Sequence, residues 1–240
     1  MNNPAKFLSA EWRYLAMLNY EIDPAVLRPY VPYDTELDAW NGKTLVSMVG
    51  FLFLKTRLLG VPIPFHTDFE EVNLRFYVRR RGEEGWRRGV VFIKEIVPKA
   101  AIAVIARTVY HENYVAMPMR HTLTHPTEQD LVVEYGWCPE KVWNYLRVKT
   151  RGEPQPLSPG SEEEFITEHY WGYAAQPDGG CVEYRVEHPG WWVWPVSESE
   201  LNCDIAGLYG NAFVESLQAE PCSAFLAEGS AVVVRQGIRL

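Results

Sequence analysis

Within the segment from Glu70 to Arg79, polar and apolar side chains alternate without interruption from Glu71 onward. Successive side chains of a β-strand point to opposite faces, so the alternation divides the segment into two faces. The apolar face carries Val72, Leu74, Phe76 and Val78, and the polar face carries Glu71, Asn73, Arg75, Tyr77 and Arg79. Such a strand fits an ordinary sheet with its polar face in water. It fits equally a barrel strand, with helices over its apolar face and a closed interior behind its polar face.

The barrel interpretation makes the polar face a candidate binding site. Glu71, Asn73, Arg75 and Tyr77 would converge in a cavity, where a few polar groups among apolar walls orient a ligand. The Arg75 guanidinium would hold a carboxylate through two hydrogen bonds. Glu71 would be its partner or a proton acceptor. These four residues are the predicted ligand-binding residues, and no catalytic residue is assigned.

A second segment favours the barrel. Thr44 to Leu54 is apolar on both faces, which is typical of a strand buried on both sides. It follows Asn41-Gly42, a pair that supplies the two positive φ angles of a type I′ turn. We therefore predict a hairpin with arms 36–40 and 43–57. Gly50 would allow the second arm to bend at a barrel corner.

Other turn and cap signals predict many strands and few, short helices. Hairpins are predicted with a tip at 79–89, between 171–176 and 181–188, and over Glu228-Gly229 between 223–226 and 231–235. Helices are predicted after Asp23-Pro24, over 99–111, from a capping box at Ser161 and Glu164, and over 204–209 and 211–217. Residues 7–20 fit a strand or a helix. We predict a single domain, residues 1–240, of mainly β (α+β) class: a closed or nearly closed antiparallel β-barrel with a few short covering helices.

Composition narrows the partners and the compartment. The chain of 240 residues has a net charge of -8 and a pI of about 5.3, so it lacks the basic field of a nucleic-acid-binding protein. The arginines at 79–81 and 87–88 enclose Glu83 and Glu84 and fit a solvated hairpin tip. Four cysteines without a CxxC pair, and no signal peptide, predict a cytoplasmic protein with reduced thiols. The apolar stretches are too short to predict a membrane span. Homo-oligomerisation stays open.

Motifs for a specific chemistry are weak or absent. Lys94 is the only lysine inside an apolar strand, and it fits a Schiff-base lysine, a lysine at the barrel rim, or a partner of Glu71. His121 and His125 are four residues apart, but the intervening threonines favour extended structure over a zinc-binding helix. The sequence contains no G-x-S-x-G, P-loop or GxGxxG motif. We predict no cofactor and no metal.

Another polar cluster follows the helix predicted at Ser161. It contains His169, Tyr170, Trp171, Tyr173, Glu183, Arg185, Glu187 and His188. These residues fit ion pairing on the surface of a hairpin, which stabilises little, or a functional role. The nearby tryptophans Trp191, Trp192 and Trp194 fit a core more readily than a ligand platform.

Several segments resemble a known family. They are 69–78, 45–51, 169–173, 184–189 and, near the C-terminus, 224–230. Together they are similar to the YqjF-like family of uncharacterised bacterial proteins, over nearly the whole chain. The resemblance implies the β-barrel of the acetoacetate decarboxylase-like superfamily.

The decarboxylase reaction does not carry over with that resemblance. Acetoacetate decarboxylase forms a Schiff base through a lysine in an adjacent pair, and the comparable segment here, Tyr114 to Arg120, has no lysine. We expect a small-molecule-binding protein, and the sequence leaves open whether it is an enzyme acting on an organic acid or carbonyl compound. The alternative is a non-catalytic binding or protein-interaction module with a structural polar network in the barrel. A scaffold that oligomerises through exposed aromatic residues is a third.

Overall fold

The computed structural model describes residues 4–101, 112–127 and 130–240. Strands hold 56% of the residues and helices 12%, which confirms the mainly β prediction. Most of the helix predicted over 99–111, from residue 102 onward, lies outside the described ranges. Residues 7–20, which fitted either type of element, belong to a long strand, β1 (Lys6–Glu21).

Seven of the described strands form a closed ring. In order around the ring they are β1, β3 (Leu45–Leu58), β5 (Phe69–Gly82), β6 (Gly85–Val97), β12 (Trp171–Ala175), β13 (Cys181–Glu187) and β15 (Ser223–Arg235). The ring closes where Val186 pairs with Val234. Neighbours in the ring are antiparallel except β6 and β12, which run parallel and depart from the all-antiparallel prediction.

A second group of strands branches from the ring at β15. It consists of β14 (Trp192–Asn202), β10 (Asn144–Thr150), β9 (Val132–Trp137) and β8 (Met119–Thr124). Short strands extend the sheet at its margins: β2 (Glu36–Leu37) on β5, β4 (Val61–Pro62) on β3, β7 (Tyr114–Ala116) on β6, β11 (Gln155–Pro156) on β14 and β16 (Ile238–Arg239) on β13.

The helices that lie wholly within the described ranges are short, as predicted. They are α1 (Pro24–Leu27), α2 (Glu162–Thr167), α3 (Ile205–Tyr209) and α4 (Val214–Gln218), with 3-10 turns at Arg28–Tyr30 and Asn211–Phe213. Two predicted N-caps are confirmed, because Asp23 accepts a hydrogen bond from the Ala25 amide and Ser161 from the Glu164 amide. Within the described ranges, no helix has the length and apolar character needed to cross a membrane.

The apolar face of β5 lies in the main core. Its four predicted residues are buried and pack with Ile205 and Leu208 of α3 and with Val133 of β9. The covering layer on this face is therefore partly helical, as predicted, and partly the branched strands. The segment from Leu45 to Phe53 is buried at every position, which confirms that this strand is covered on both sides.

The hairpin predicted around Asn41-Gly42 is wrong in its pairing. The turn itself is present, with φ angles of 49° and 82° and a bridge between Trp40 and Lys43. Its first arm, however, is only β2, and β2 pairs with β5 instead of β3. The local turn signal was correct, but β1 occupies that edge of β3 along most of its length.

The hairpin predicted over Glu228-Gly229 is also wrong. Strand β15 continues straight through these residues and pairs with β1 along its length. Gly229 has a φ of 80° and lies opposite Arg13, and a side chain at this position would overlap the Trp12 carbonyl oxygen. The glycine therefore permits a close approach of two strands and does not form a turn.

Candidate functional site

The ring encloses a cavity of about 150 Å³ whose lining residues come from all seven of its strands. Apolar and aromatic side chains form most of its wall. The polar and ionisable side chains along it are Thr56, His66, Glu71, Asn73, Arg75, Glu95, Glu112, Tyr114, Thr167, His169, Tyr184 and His188. This composition is typical of a small-molecule pocket.

Three of the four predicted ligand-binding residues on the polar face of β5 line this cavity. Glu71 and Asn73 are each 2% exposed, and Arg75 is 9% exposed. Tyr77 is buried but is not among the lining residues. It shares a hydrogen bond of 2.6 Å with Ser47, and its ring lies 4.7 Å from the His169 ring. The strand thus supplies three cavity residues, and Tyr77, farther along the same face, lies next to the cavity without lining it.

One end of the cavity, here called the acidic end, gathers the carboxyl groups of Glu71, Glu95 and Glu112. Glu71 accepts hydrogen bonds from Asn73 Nδ2 at 2.9 Å and from the Tyr114 hydroxyl at 3.3 Å. The Tyr184 hydroxyl donates to Glu112. Asn73 lies directly opposite Glu95 across β5 and β6, which brings their side chains to the same face.

Burial changes the ionisation of the acidic end. It raises the pKa of Glu71 to about 8 and that of Glu112 to about 7, and it raises the pKa of Glu95 well above its usual range. Repulsion between neighbouring carboxylates adds to the effect on Glu71 and Glu95. The acidic end therefore holds protons near neutral pH.

The opposite end, here called the basic end, is built around Arg75. Its Nη2 donates to the Ile166 carbonyl oxygen at 3.3 Å, and its Nε has no hydrogen-bond partner among the described residues. The ion pairs of the described residues do not include Arg75. A guanidinium stays charged even when it is buried, so Arg75 brings a positive charge that forms no ion pair with the described residues. Its attraction reaches Glu71, where it opposes the rise in the pKa of that carboxyl.

His169 completes the basic end. Its Nε2 lies 3.3 Å from Asp38 Oδ2, and the same oxygen accepts from Arg88 Nε at 2.7 Å. Burial lowers the pKa of His169 to about 4, whereas hydrogen bonds from His169 and Arg88 outweigh burial and lower the pKa of Asp38. A neutral imidazole that donates through Nε2 to a carboxylate leaves Nδ1 as a proton acceptor. His169 Nδ1 has no partner among the described residues.

Aromatic rings line the wall that β1 and β3 contribute. The Trp12 ring packs edge-on against the rings of Phe51 and Trp191, with centroid distances of 5.4 and 6.4 Å. The His188 ring stacks on Trp191 with a centroid distance of 4.3 Å. Trp191 is thus both buried and part of the cavity wall. Sequence reasoning had favoured the core over a ligand platform for this tryptophan.

Lys94 is not a cavity residue. Its Nζ donates to the Leu208 carbonyl oxygen and lies 5.6 Å from the Tyr209 ring, on the face of β6 opposite Glu95. Neither the Schiff-base interpretation in this cavity nor the pairing with Glu71 fits that position. The partial burial of Lys94 lowers its pKa.

The other sequence candidates lie elsewhere. His121 is on β8 and bonds Glu70 at 2.6 Å, so the extended interpretation of this segment is correct. Within the described ranges, no group of His, Cys, Asp and Glu side chains has the geometry to hold a metal ion. The arginine run lies at the tip of the β5–β6 hairpin, but Arg80 and Arg87 are partly buried and pair with the buried Glu183.

Comparison with known sequences gives the family. A family model described as an uncharacterised conserved protein, DUF2071, matches residues 9–231. The chain belongs to the DUF2071 family. An uncharacterised protein of Bacillus subtilis, YqjF, is 32% identical over 208 residues, which cover 85% of this chain and 82% of YqjF. The resemblance to the YqjF-like family is therefore confirmed.

Solved structures similar to this DUF2071 chain show the acetoacetate decarboxylase-like fold. Acetoacetate decarboxylase of Legionella pneumophila has a TM-score of 0.66 at 17% identity, covering 100% of this chain and 90% of its own. An acetoacetate decarboxylase-like enzyme of Sphingomonas wittichii has a TM-score of 0.67 at 14% sequence identity, and the match covers 98% of this chain and 94% of that enzyme. The enduracididine biosynthesis enzyme MppR, complexed with pyruvate, has a TM-score of 0.67 at 12% sequence identity, and the match covers 100% of this chain and 91% of MppR. At these identities the likeness establishes the fold alone.

Several ionisable residues that line the cavity of this DUF2071 chain were not predicted as ligand-binding residues, and Glu95, Glu112 and His169 are the three that shape its two ends. Glu95 could have been found, because it alternates with Lys94 on a strand paired with β5. Glu112 gave no comparable signal, since it lies outside any strand, just before β7. His169 was singled out in the sequence, but only the fold brings it beside Arg75.

Proposed function

We propose that this protein binds a small organic acid or carbonyl compound inside the ring, which we interpret as a closed β-barrel formed by one domain. The observation that carries the proposal is Arg75: a buried guanidinium, without a carboxylate partner among the described residues, on the wall of a largely apolar cavity. A bidentate bond to a ligand carboxylate would compensate this charge. The pairing of β1 with β15, near the two ends of the chain, supports a single domain.

The similar structures support this ligand class. One is named an acetoacetate decarboxylase and another is described as complexed with pyruvate. Acetoacetate and pyruvate are both small carboxylates with a carbonyl group. The cavity volume of about 150 Å³ suits ligands of that size. The reaction would differ from a Schiff-base mechanism at Lys94, because that amine points away from the cavity.

The chemistry that fits the site is proton transfer. Neutral His169 would accept a proton at Nδ1 from the carbon next to the ligand carbonyl group. The protonated carboxyl of Glu71 would donate a proton to the carbonyl oxygen, which gives an enol. The sequence-based role of Glu71 as a proton acceptor is thus reversed, because burial raises its pKa to about 8.

Calorimetric titration of pyruvate, acetoacetate and valerate against the wild type and Arg75→Met tests the binding proposal. Loss of a charge-assisted contact in a desolvated site should weaken affinity by about 100-fold or more. Arg79→Met is the matched control, since Arg79 lies on the same face of β5, half exposed and paired with Glu36. Equal affinity of the two variants would refute Arg75 as the anchor.

A non-catalytic binding module is the second candidate, favoured by the polar network next to the cavity. Tyr77, Ser47, Asn19 and Ser223 are linked by hydrogen bonds of 2.6, 2.6 and 2.9 Å. Such a network stabilises a core without touching a ligand. Deuterium exchange at the carbon next to the carbonyl of pyruvate, followed by NMR, separates the candidates. An enzyme should accelerate exchange and lose that acceleration in His169→Gln, whereas a binding module should bind without exchange.

A further inference from the structure

Two buried oxygen atoms at the acidic end lack a hydrogen-bond donor. Asn73 Oδ1 and Glu95 Oε2 are both fully buried, and neither has a partner among the described residues. Both residues line the cavity, and they face each other across β5 and β6. Unsatisfied buried acceptors are costly, so native sites usually supply a donor to them.

The described donors next to these two atoms bond to other oxygen atoms, although the Tyr114 hydroxyl also interacts with the Glu95 carboxyl. Asn73 Nδ2 and the Tyr114 hydroxyl donate to Glu71, so each Glu71 carboxyl oxygen accepts one hydrogen bond. The Tyr184 hydroxyl donates to Glu112. Without a ligand, the proton held by the neutral Glu95 carboxyl is a donor for one of these two oxygens. Once that proton is lost, Asn73 Oδ1 and the carboxylates of Glu95 and Glu112 form a set of acceptors on the cavity wall, and this combination suits a group with several N–H donors and a positive charge.

We propose that the acidic end is a second subsite, which binds the protonated nitrogen of a ligand whose carboxylate is held by Arg75. The inference rests on the proposed function, since Arg75 supplies the other anchor. Asn73 and Arg75 are two residues apart on one face of β5, so their Cα atoms are about 7 Å apart along the strand. That span matches an ω-amino acid with a short carbon chain.

The ionisation of the acidic end agrees with a cationic guest. The three carboxyl groups hold protons near neutral pH because burial disfavours their charged forms, and repulsion between carboxylates adds to this effect at Glu71 and Glu95. An ammonium group that replaces one of these protons supplies the missing countercharge. Binding of the amine should therefore release a proton, whereas binding of the carboxylate at Arg75 needs no such exchange.

The test compares ligands that differ only in the amine. Affinities of γ-aminobutyrate, δ-aminovalerate and ε-aminocaproate are measured by calorimetry against butyrate, valerate and caproate. At least one amino acid should bind about tenfold or more tightly than its matched acid. Its binding enthalpy should change between phosphate and Tris buffers, as proton release requires. Glu95→Gln should abolish the preference for the amino acid, while Glu70→Gln, on the opposite face of β5 and outside the cavity, should retain both the preference and the valerate affinity.

The outcomes separate this inference from the function beneath it. If every acid binds at least as tightly as its amino counterpart, the subsite is refuted and the organic-acid proposal stands. Binding of the amide of δ-aminovalerate as tightly as δ-aminovalerate itself would refute Arg75 as the anchor. If none of the ligands binds, both proposals fail. The ligand comparison on the wild type decides the matter even if Glu95→Gln does not fold.

Discussion

The two ends of the cavity respond to burial in opposite ways. At the acidic end, Glu71, Glu95 and Glu112 escape the cost of a buried charge by holding a proton. At the basic end, His169 escapes it by losing one. Arg75 can do neither, because a guanidinium does not deprotonate in proteins. A buried arginine without an ion-pair partner among the described residues is therefore the main support for the proposed ligand binding.

The comparison predicts opposite pH dependences for the two ends, and the acidic end should have the larger effect. A carboxyl whose folded-state pKa is raised binds more protons in the native state than in the unfolded state. Glu71 therefore stabilises fully below its unfolded pKa, and this contribution falls as pH rises to about 8. The loss should reach roughly 4 kcal/mol at about 1.4 kcal/mol per pH unit. Urea unfolding from pH 5 to 8 should show a shallower decline in Glu71→Gln than in the wild type. An unchanged slope would mean that Glu71 is ionised in the folded protein.

The basic end should act in the reverse sense. The pKa of His169 is lowered to about 4, so the unfolded state binds its proton more readily between pH 4 and 6.5. Stability from this residue is lost as pH falls through that window, by up to roughly 3 kcal/mol. NMR titration of the His169 ring should show it neutral down to about pH 5, and His169→Gln should remove this part of the acid sensitivity. A ring that titrates near 6.5 would contradict the assignment.

A substitution that changes no charge can disturb the packing at the acidic end. A side chain at Gly172 would overlap the Tyr184 ring, whose hydroxyl donates to Glu112. Gly172→Ala should reduce the free energy of unfolding by about 1–3 kcal/mol through overpacking. Gly190→Ala is the control, because its nearest neighbour would lie at an ordinary 3.7 Å. Similar stabilities of the two variants in urea would show that Tyr184 has room to move.

The smallest effect is expected at Tyr77, which belongs to neither end. Ser47 donates to Asn19, so the Tyr77 hydroxyl donates to Ser47. Tyr77→Phe should cost about 1 kcal/mol of stability and leave ligand affinity unchanged. Thermal unfolding and calorimetry on one preparation give both values. A large loss of affinity would return Tyr77 to the binding site.

Sequence reasoning was accurate where the signal was local and continuous. The alternation of β5, the two-sided apolar β3 and the caps of α1 and α2 were read correctly. It was wrong at Asn41-Gly42 and at Glu228-Gly229, where turn chemistry suggested hairpins. In both places a strand distant in sequence provides the pairing, and a local turn signal carries no information about that partner.

The sequence by itself determined the two faces of β5, because side-chain alternation follows from strand geometry. It also determined the residue types, and so placed Glu71, Asn73 and Arg75 on one face. Only the tertiary structure decided that this face lines a cavity inside a ring of strands and that Tyr77 is not part of the lining. It also decided that Glu95, Glu112 and His169 line the same cavity. The protonation of these groups was decided there too. Burial is a property of the assembled ring, and the desolvation that shifts each pKa exists only after distant strands have closed around it.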